Sequence, residues 1–267
     1  MKLIVLAITN QKGGVGKTTI AYNLACILSN RRNTKVLAID NDPQGNLTAS
    51  FLEDPIPLEG TIVQAYKNGP VVPQHVTKSL HLIGADIALS IVTERDFQVI
   101  FRLKESLAKL HTEPKASSYD YVIIDCLPSF GHLHLAALHA ADYVLIPVKP
   151  APYALAGLKD LFSTIEKVRH YFNPRLKVLG IVVNQVDGRQ LLLEREMEVA
   201  LRENYGSLVF RQRITKRIKI EESPAFQKPI TEYHPKEPAA KAFKALAREV
   251  IRRLKGLQTE ATPKKKP

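Results

Sequence analysis

Short apolar runs alternate along this chain with longer stretches in which apolar residues recur every three or four positions. The short runs have the length of buried strands, and the longer stretches have the period of amphipathic helices. Leu3–Thr9, Lys35–Ile39, Leu80–Ile83, Tyr121–Ile124, Tyr143–Val148 and Val178–Val183 are predicted strands. Thr18–Asn30 is a predicted helix with Ile20, Leu24, Ile27 and Leu28 on one face. Glu94–Leu110, Ala154–Tyr171, Arg189–Tyr205 and Ala239–Leu257 are predicted helices as well. Asp54–Gln74 carries several Pro and Gly and reads as loop with one short helix. The alternation predicts a single α/β domain over residues 1–257, with a mostly parallel twisted sheet flanked by helices. Residues 258–267 read as a disordered basic tail. No internal repeat and no linker divides the chain.

Composition narrows the class without naming the chemistry. No run approaches the roughly 18 consecutive apolar residues needed to span a bilayer. Met1–Thr9 leads directly into a glycine-rich loop with no small-residue cleavage site, so no signal peptide is expected. Cys26 and Cys126 match neither a metal nor a disulfide spacing, which makes a reducing cytosol the expectation. The net charge of +12 is uneven: from Tyr205 onward sixteen Lys and Arg stand against six Asp and Glu. Such a surface attracts polyanions, nucleic acid or acidic lipid, although solvated charge with a basic tail gives the same count.

The chemistry concentrates in TNQKGGVGKTT, between the first predicted strand and the first predicted helix. Gly13, Gly14 and Gly16 permit a tight turn whose backbone N–H groups approach phosphate oxygens, and the helix amino terminus favours their negative charge. In a loop of this kind Val15, Thr19 and the glycines wrap the phosphates, Lys17 reaches the β- and γ-phosphates, and the Thr18 hydroxyl ligates Mg²⁺. The common pattern would place glycine at position 11. Gln11 stands there instead, followed by a second lysine, Lys12. Two carboxylates, Asp40 and Asp42, follow the second strand in IDNDPQGN; they fit a phosphate-facing pair and equally an Asx turn. Asp125 closes the strand YVIID, and Asn184 follows the strand LGIVV.

With these motifs the chain resembles the ParA/MinD class of deviant Walker A P-loop ATPases, from Met1 to about Leu254. The blocks 146–161 (IPVKPAPYALAGLKDL), 214–230 (ITKRIKIEESPAFQKPI) and 233–251 (YHPKEPAAKAFKALAREVI) look like its Soj-type partitioning branch. The resemblance implies a cytoplasmic, nucleoid-associated ATPase with ATP and Mg²⁺ as cofactors and slow hydrolysis. It gives Lys12 a role across a dimer interface on the partner's nucleotide. Asp42 becomes the catalytic carboxylate; Asp40 senses the γ-phosphate and Mg²⁺, and Asp125 is the Walker B aspartate. Asn184 reads the purine. The class usually has D-x-P-P at the Walker B position, and Leu127 here replaces the first proline.

The same resemblance implies an ATP-bound homodimer that binds DNA without sequence preference, with a ParB-like protein stimulating hydrolysis. Arg189 and Lys219 take the places of the branch's DNA-binding arginines, and Lys216, Arg217, Arg252 and Arg253 can extend the patch. The chain starts at the P-loop strand with no helix-turn-helix arm, so operator binding is not expected. The rival is a MinD-like or cargo-positioning ATPase acting on a membrane or a protein complex. The apolar stripe Phe243, Leu246, Ala247, Val250, Ile251 and Leu254 suits a membrane-lying helix, but a docked core helix explains it better. Membrane binding is therefore not expected.

Overall fold

A computed structural model describes residues 3–93, 97–112, 119–187, 189 and 192–260. Seven strands form one sheet: β1 (Ile4–Ile8), β2 (Val36–Asn41), β3 (Gln74–Thr77), β4 (Leu80–Ile83), β5 (Tyr121–Cys126), β6 (Tyr143–Val148) and β7 (Lys177–Val183). Their order is β3-β4-β2-β5-β1-β6-β7, with every pairing parallel except the β3–β4 edge. The helices are α1 (Lys17–Ser29), α2 (Asn46–Phe51), α3 (Ile62–Tyr66), α4 (Val99–Thr112), α5 (His132–Ala140), α6 (Ala154–Tyr171) and α7 (Leu192–Tyr205). Three more follow: α8 (Ile218–Glu222), α9 (Ile230–Tyr233) and α10 (Pro238–Glu260).

The strands are apolar on both faces because both faces are covered. Along β1, Ile4, Leu6 and Ile8 join a core built with α1 and α10, while Val5 and Ala7 join the opposite core with α4, α5 and α6. On the first side Ile20, Leu24 and Leu28 of α1 meet Phe243, Leu246 and Val250 of α10. Each such fully buried side chain contributes about 1.5–3 kcal/mol relative to exposure.

The structure departs from the predicted elements where periodicity is blind. Asp40, Asn41, Asp125 and Cys126 lie inside strands that the sequence ends earlier, paired across β2 and β5 as Asp40–Asp125 and Asn41–Cys126. α10 runs to Glu260, so 258–260 are helical; 261–267 lie outside the described residues. The start of the predicted helix at Glu94 and that at Arg189 likewise touch residues outside the description, and the observed helices begin at Val99 and Leu192.

Candidate functional site

Three strands, β1, β2 and β5, end side by side at one edge of the sheet, and the loops that follow them meet there. This is where open α/β sheets hold ligands. The loop from β1 turns into α1 through Gly14 at φ 69° and Gly16 at φ 83°, conformations that favour glycine. A side chain at Gly16 would collide with the Asn184 amide. Gly45, at φ 64°, makes the corresponding turn between β2 and α2.

Between these turns lies a cleft of about 470 Å³ lined by Gly13, Gly14, Gly16, Lys17, Thr18, Thr19, Asp42 and Pro128. Lys17 is buried there, and its Nζ donates to the Lys12 carbonyl at 3.2 Å. Burial pushes the Lys17 amine below its ordinary value, and the Asp125 carboxylate opposes the shift. The ammonium of Lys17 is thus stripped of water and aimed at a site that needs negative charge.

Asp125 is fully buried, takes a hydrogen bond from the Thr18 hydroxyl, and leaves its Oδ1 with no partner among the described residues. Burial raises its carboxyl well above the usual range, with the neighbouring Asp40 adding to the effect. A carboxylate oxygen buried without a partner, beside a hydroxyl, is a hard-oxygen pair of the kind Mg²⁺ takes while keeping most of its waters. The residues fit the ion.

Asp40 and Asp42 differ in ways that their shared motif hides. Asp40 is completely buried, and its Oδ2 accepts hydrogen bonds from Thr48 N and Thr48 Oγ1, both at 2.8 Å. Its Oδ1 accepts from Asp42 N at 3.2 Å. Burial lifts its carboxyl to about 6 against the pull of those bonds. Asp40, beside Asp125 across β2 and β5, also shapes the loop that carries Asp42. Asp42 is partly exposed, accepts from Gln44 N at 3.0 Å, and among the described residues is the one carboxylate lining the cleft.

Lys12 projects outward. Its side chain is exposed and does not line the cleft, while its backbone N–H donates to Asn10 Oδ1 at 2.9 Å. Asn10 in turn donates to the Pro147 carbonyl, pinning the loop to the end of β6. Asn184 is buried and donates to the carbonyl of Val15, itself buried, at 2.7 Å. The cavity beside Asn184, lined also by Thr19, Thr215, Lys216 and Arg217, measures about 30 Å³.

The cations expected to meet DNA do not line the cleft, although Lys216 and Arg217 adjoin it through the cavity beside Thr19, and most carry intramolecular partners. Arg189 holds Asp187 at 2.8 Å, keeping that carboxyl at about 2; Lys219 holds Glu222 at 2.8 Å; Lys216 reaches Glu221 at 3.5 Å. All are exposed pairs of the kind that cost little to exchange for phosphate. Arg217 is exposed at the start of α8. Arg253 does not belong with them. Its guanidinium donates to the carbonyls of Ser207, Leu208 and Val209 and lies 3.9 Å from the Phe210 ring centroid, so it ties α10 to the core.

Two buried residues near the site, Asn41 and His134, have no signature in the sequence. Asn41 accepts from the Tyr66 hydroxyl at 2.7 Å and donates to the Leu133 carbonyl at 2.9 Å, joining the Asp42 loop to the start of α5. His134 shares a hydrogen bond of 2.8 Å with Thr9, where β1 leaves the sheet, and its Nδ1 has no partner among the described residues. Leu127, standing where proline was expected, packs its half-buried side chain on the core.

Burial drops the His134 imidazole to about 4. A base depressed in the folded state stabilises above its unfolded value, near 6.5, and that stability is lost as pH falls toward 4. His134→Thr should therefore flatten the pH dependence of unfolding between about 6.5 and 4 by up to roughly 3 kcal/mol. Denaturant titrations of both proteins across that range measure it; parallel curves would show that His134 is not held neutral.

The comparisons agree with this arrangement. A model of the AAA domain family matches residues 1–178. The chain is 38% identical to the chromosome-partitioning ATPase Soj of Thermus thermophilus, over 93% of this chain and 96% of that one. It is 37% identical to the chromosome partitioning protein ParA of Myxococcus xanthus, over 93% and 88%. Among solved structures, a Mycobacterium smegmatis protein described as cobyrinic acid a,c-diamide synthase with bound ADP and magnesium superposes with a TM-score of 0.77. It is 29% identical, with coverage of 95% and 96%. A glycine-turned cleft at the carboxyl edge of a parallel sheet, matched over nearly the whole length of these relatives, places the chain in the Soj/ParA family of partitioning ATPases.

Proposed function

We propose that this protein is an ATP-dependent dimerising switch that partitions chromosome or plasmid DNA, binding it without sequence preference and releasing it when hydrolysis is stimulated by a ParB-like partner. The observation that carries the reading is the division between Lys17, buried in the cleft, and Lys12, exposed outside it. A cation that meets phosphate charge only when a second protomer arrives makes the nucleotide part of the dimer contact. The names of the relatives, chromosome partitioning proteins over nearly the full length, support the cargo.

Within one protomer the loop amides and Lys17 bind and orient the triphosphate, and Thr18 and Asp125 would hold Mg²⁺. The ion supplies charge neutralisation at the β- and γ-phosphates when bound. Asp42 orients the attacking water and accepts its proton; Asp40, whose Oδ1 accepts from Asp42 N, fixes the backbone that aims Asp42. Asn184, whose amide also holds the Val15 carbonyl of the glycine loop, reads the purine base. Arg189, Lys216 and Lys219 exchange their carboxylate partners for DNA phosphates, and the exposed Arg217 joins them. Among the described residues no helix is long and apolar enough to cross a membrane.

Lys12→Ala should keep ATP affinity within about threefold while abolishing the ATP-driven rise in mass. Lys17→Ala should lose at least tenfold in ATP affinity, because it removes a desolvated charge-assisted contact. Calorimetry and light scattering on the two variants separate these effects. Equal loss of ATP binding in both would contradict a role for Lys12 across the interface.

A further inference from the structure

Between Lys241 and Lys255 every exposed position of α10 is a lysine or an arginine: Lys241, Lys244, Arg248, Arg252 and Lys255. Spacings of three, four, four and three keep them in one stripe, within about 80° of the helix circumference. At 1.5 Å per residue the stripe is about 21 Å long, the rise of about six phosphates along one DNA strand. A solvated helix face usually mixes both signs. Here the acidic residue of the segment, Glu249, is buried, accepting from the N–H groups of Arg211 and Gln212 and from Arg253. Arg252 reaches Glu249 at 3.6 Å; the other four have no ion pair among the described residues.

The positive surface does not stop at the helix. Lys244 and Arg248 line a groove of about 450 Å³ whose opposite wall is Asn30 and Arg31, at the end of α1. Arg31 opens into a second cleft, of about 790 Å³, with Arg32 and Lys78. The apolar side of α10 is already used. Phe243, Leu246, Ala247, Val250 and Leu254 are at most 1% exposed in the core, which leaves nothing to bury in a lipid surface.

We infer that the outer stripe of α10 is a second phosphate-binding surface for duplex DNA, separate from the Arg189 patch and present in every nucleotide state. It rests on the DNA-binding reading above and deepens it. α10 is docked on the core of one protomer, so its cations are in place before any dimer forms. A protomer released by hydrolysis keeps a weak, salt-sensitive hold on DNA and stays near it until ATP is rebound.

The test is fluorescence anisotropy of a labelled duplex with the full chain, across salt, with ADP and with ATP. With ADP, wild-type protein should bind weakly, with log K against log[salt] falling at about −4 to −5 for five contacts. Lys244→Gln/Arg248→Gln/Arg252→Gln should flatten that slope by about 3, while thermal unfolding and DNA-free ATP turnover stay at wild-type values. Should that variant unfold early, Lys241→Gln/Lys255→Gln, at the ends of the stripe, should flatten the slope by about 2. An unchanged slope, with wild type binding DNA in ATP, overturns this inference and leaves the proposed function standing. Absence of wild-type DNA binding in ATP overturns both. Loss of sedimentation with phosphatidylserine vesicles, at an unchanged DNA slope, would assign the stripe to lipid and overturn the inference.

Discussion

Asp42→Ala is expected to slow ATP turnover by about two to four orders of magnitude, the range for loss of a general base. Among the described residues no other carboxylate lines the cleft, so no neighbour can substitute. ATP binding should survive, because the glycine loop, Lys17 and Thr18 do not touch Asp42 through any bond that the loop needs. A protein that binds ATP without cleaving it stays in the ATP-bound form, and light scattering should show the variant as a dimer that does not decay. A monomeric mass with ATP would remove the link between nucleotide state and assembly. Turnover near wild type would move the base to another residue.

The second large effect concerns DNA. Arg189→Glu with Lys219→Glu removes two cations per protomer and four per dimer. At roughly 0.9 of a counterion released per contact, the salt slope in ATP should flatten by about 3.6. At physiological salt that is a loss of roughly two to three orders of magnitude in affinity. The variants should also free Asp187 and Glu222, whose carboxylates are now held by these cations at 2.8 Å. ATP-driven dimerisation should be untouched, since both pairs lie outside the cleft. Filter binding of the double variant measures the slope; a loss of dimerisation alongside DNA binding would make the patch structural.

The parallel core was legible because its strands are covered on both faces and so read as continuous apolar runs, as in Tyr143–Val148 and Ile4–Ile8. The glycine loop was legible for a different reason: turning at Gly14 and Gly16 restricts which residues are possible. Neither signal reaches α5. Its sequence, HLHLAALHA, carries three histidines that hide a helix packed between β5 and α4, two of them buried. Edge strand β3 was lost because QHVT alternates too briefly and pairs only through a hairpin.

Within the site, residue type pointed to the right positions but not to their division of labour. Asp40 and Asp42 look equivalent at i and i+2, yet only the fold shows Thr48 claiming the first and the cleft exposing the second. Asn184 was legible as a polar residue after a strand, whereas its bond to Val15 spans 169 residues of sequence. The Tyr66–Asn41–Leu133 chain has the same character, since its partners meet only once β2 and α5 are packed. Arg253 shows the converse: as a charge in a basic segment it reads as surface, and its carbonyl partners make it core.

The central claim is that the nucleotide sets DNA occupancy through assembly. Wild-type binding to a random-sequence duplex, measured in ATP with Mg²⁺, in ADP and without nucleotide at one salt concentration, tests it most directly. The account predicts binding at least tenfold tighter in ATP than in the other two states, indifferent to sequence and lost as salt is raised. Equal affinity in all three states would contradict it.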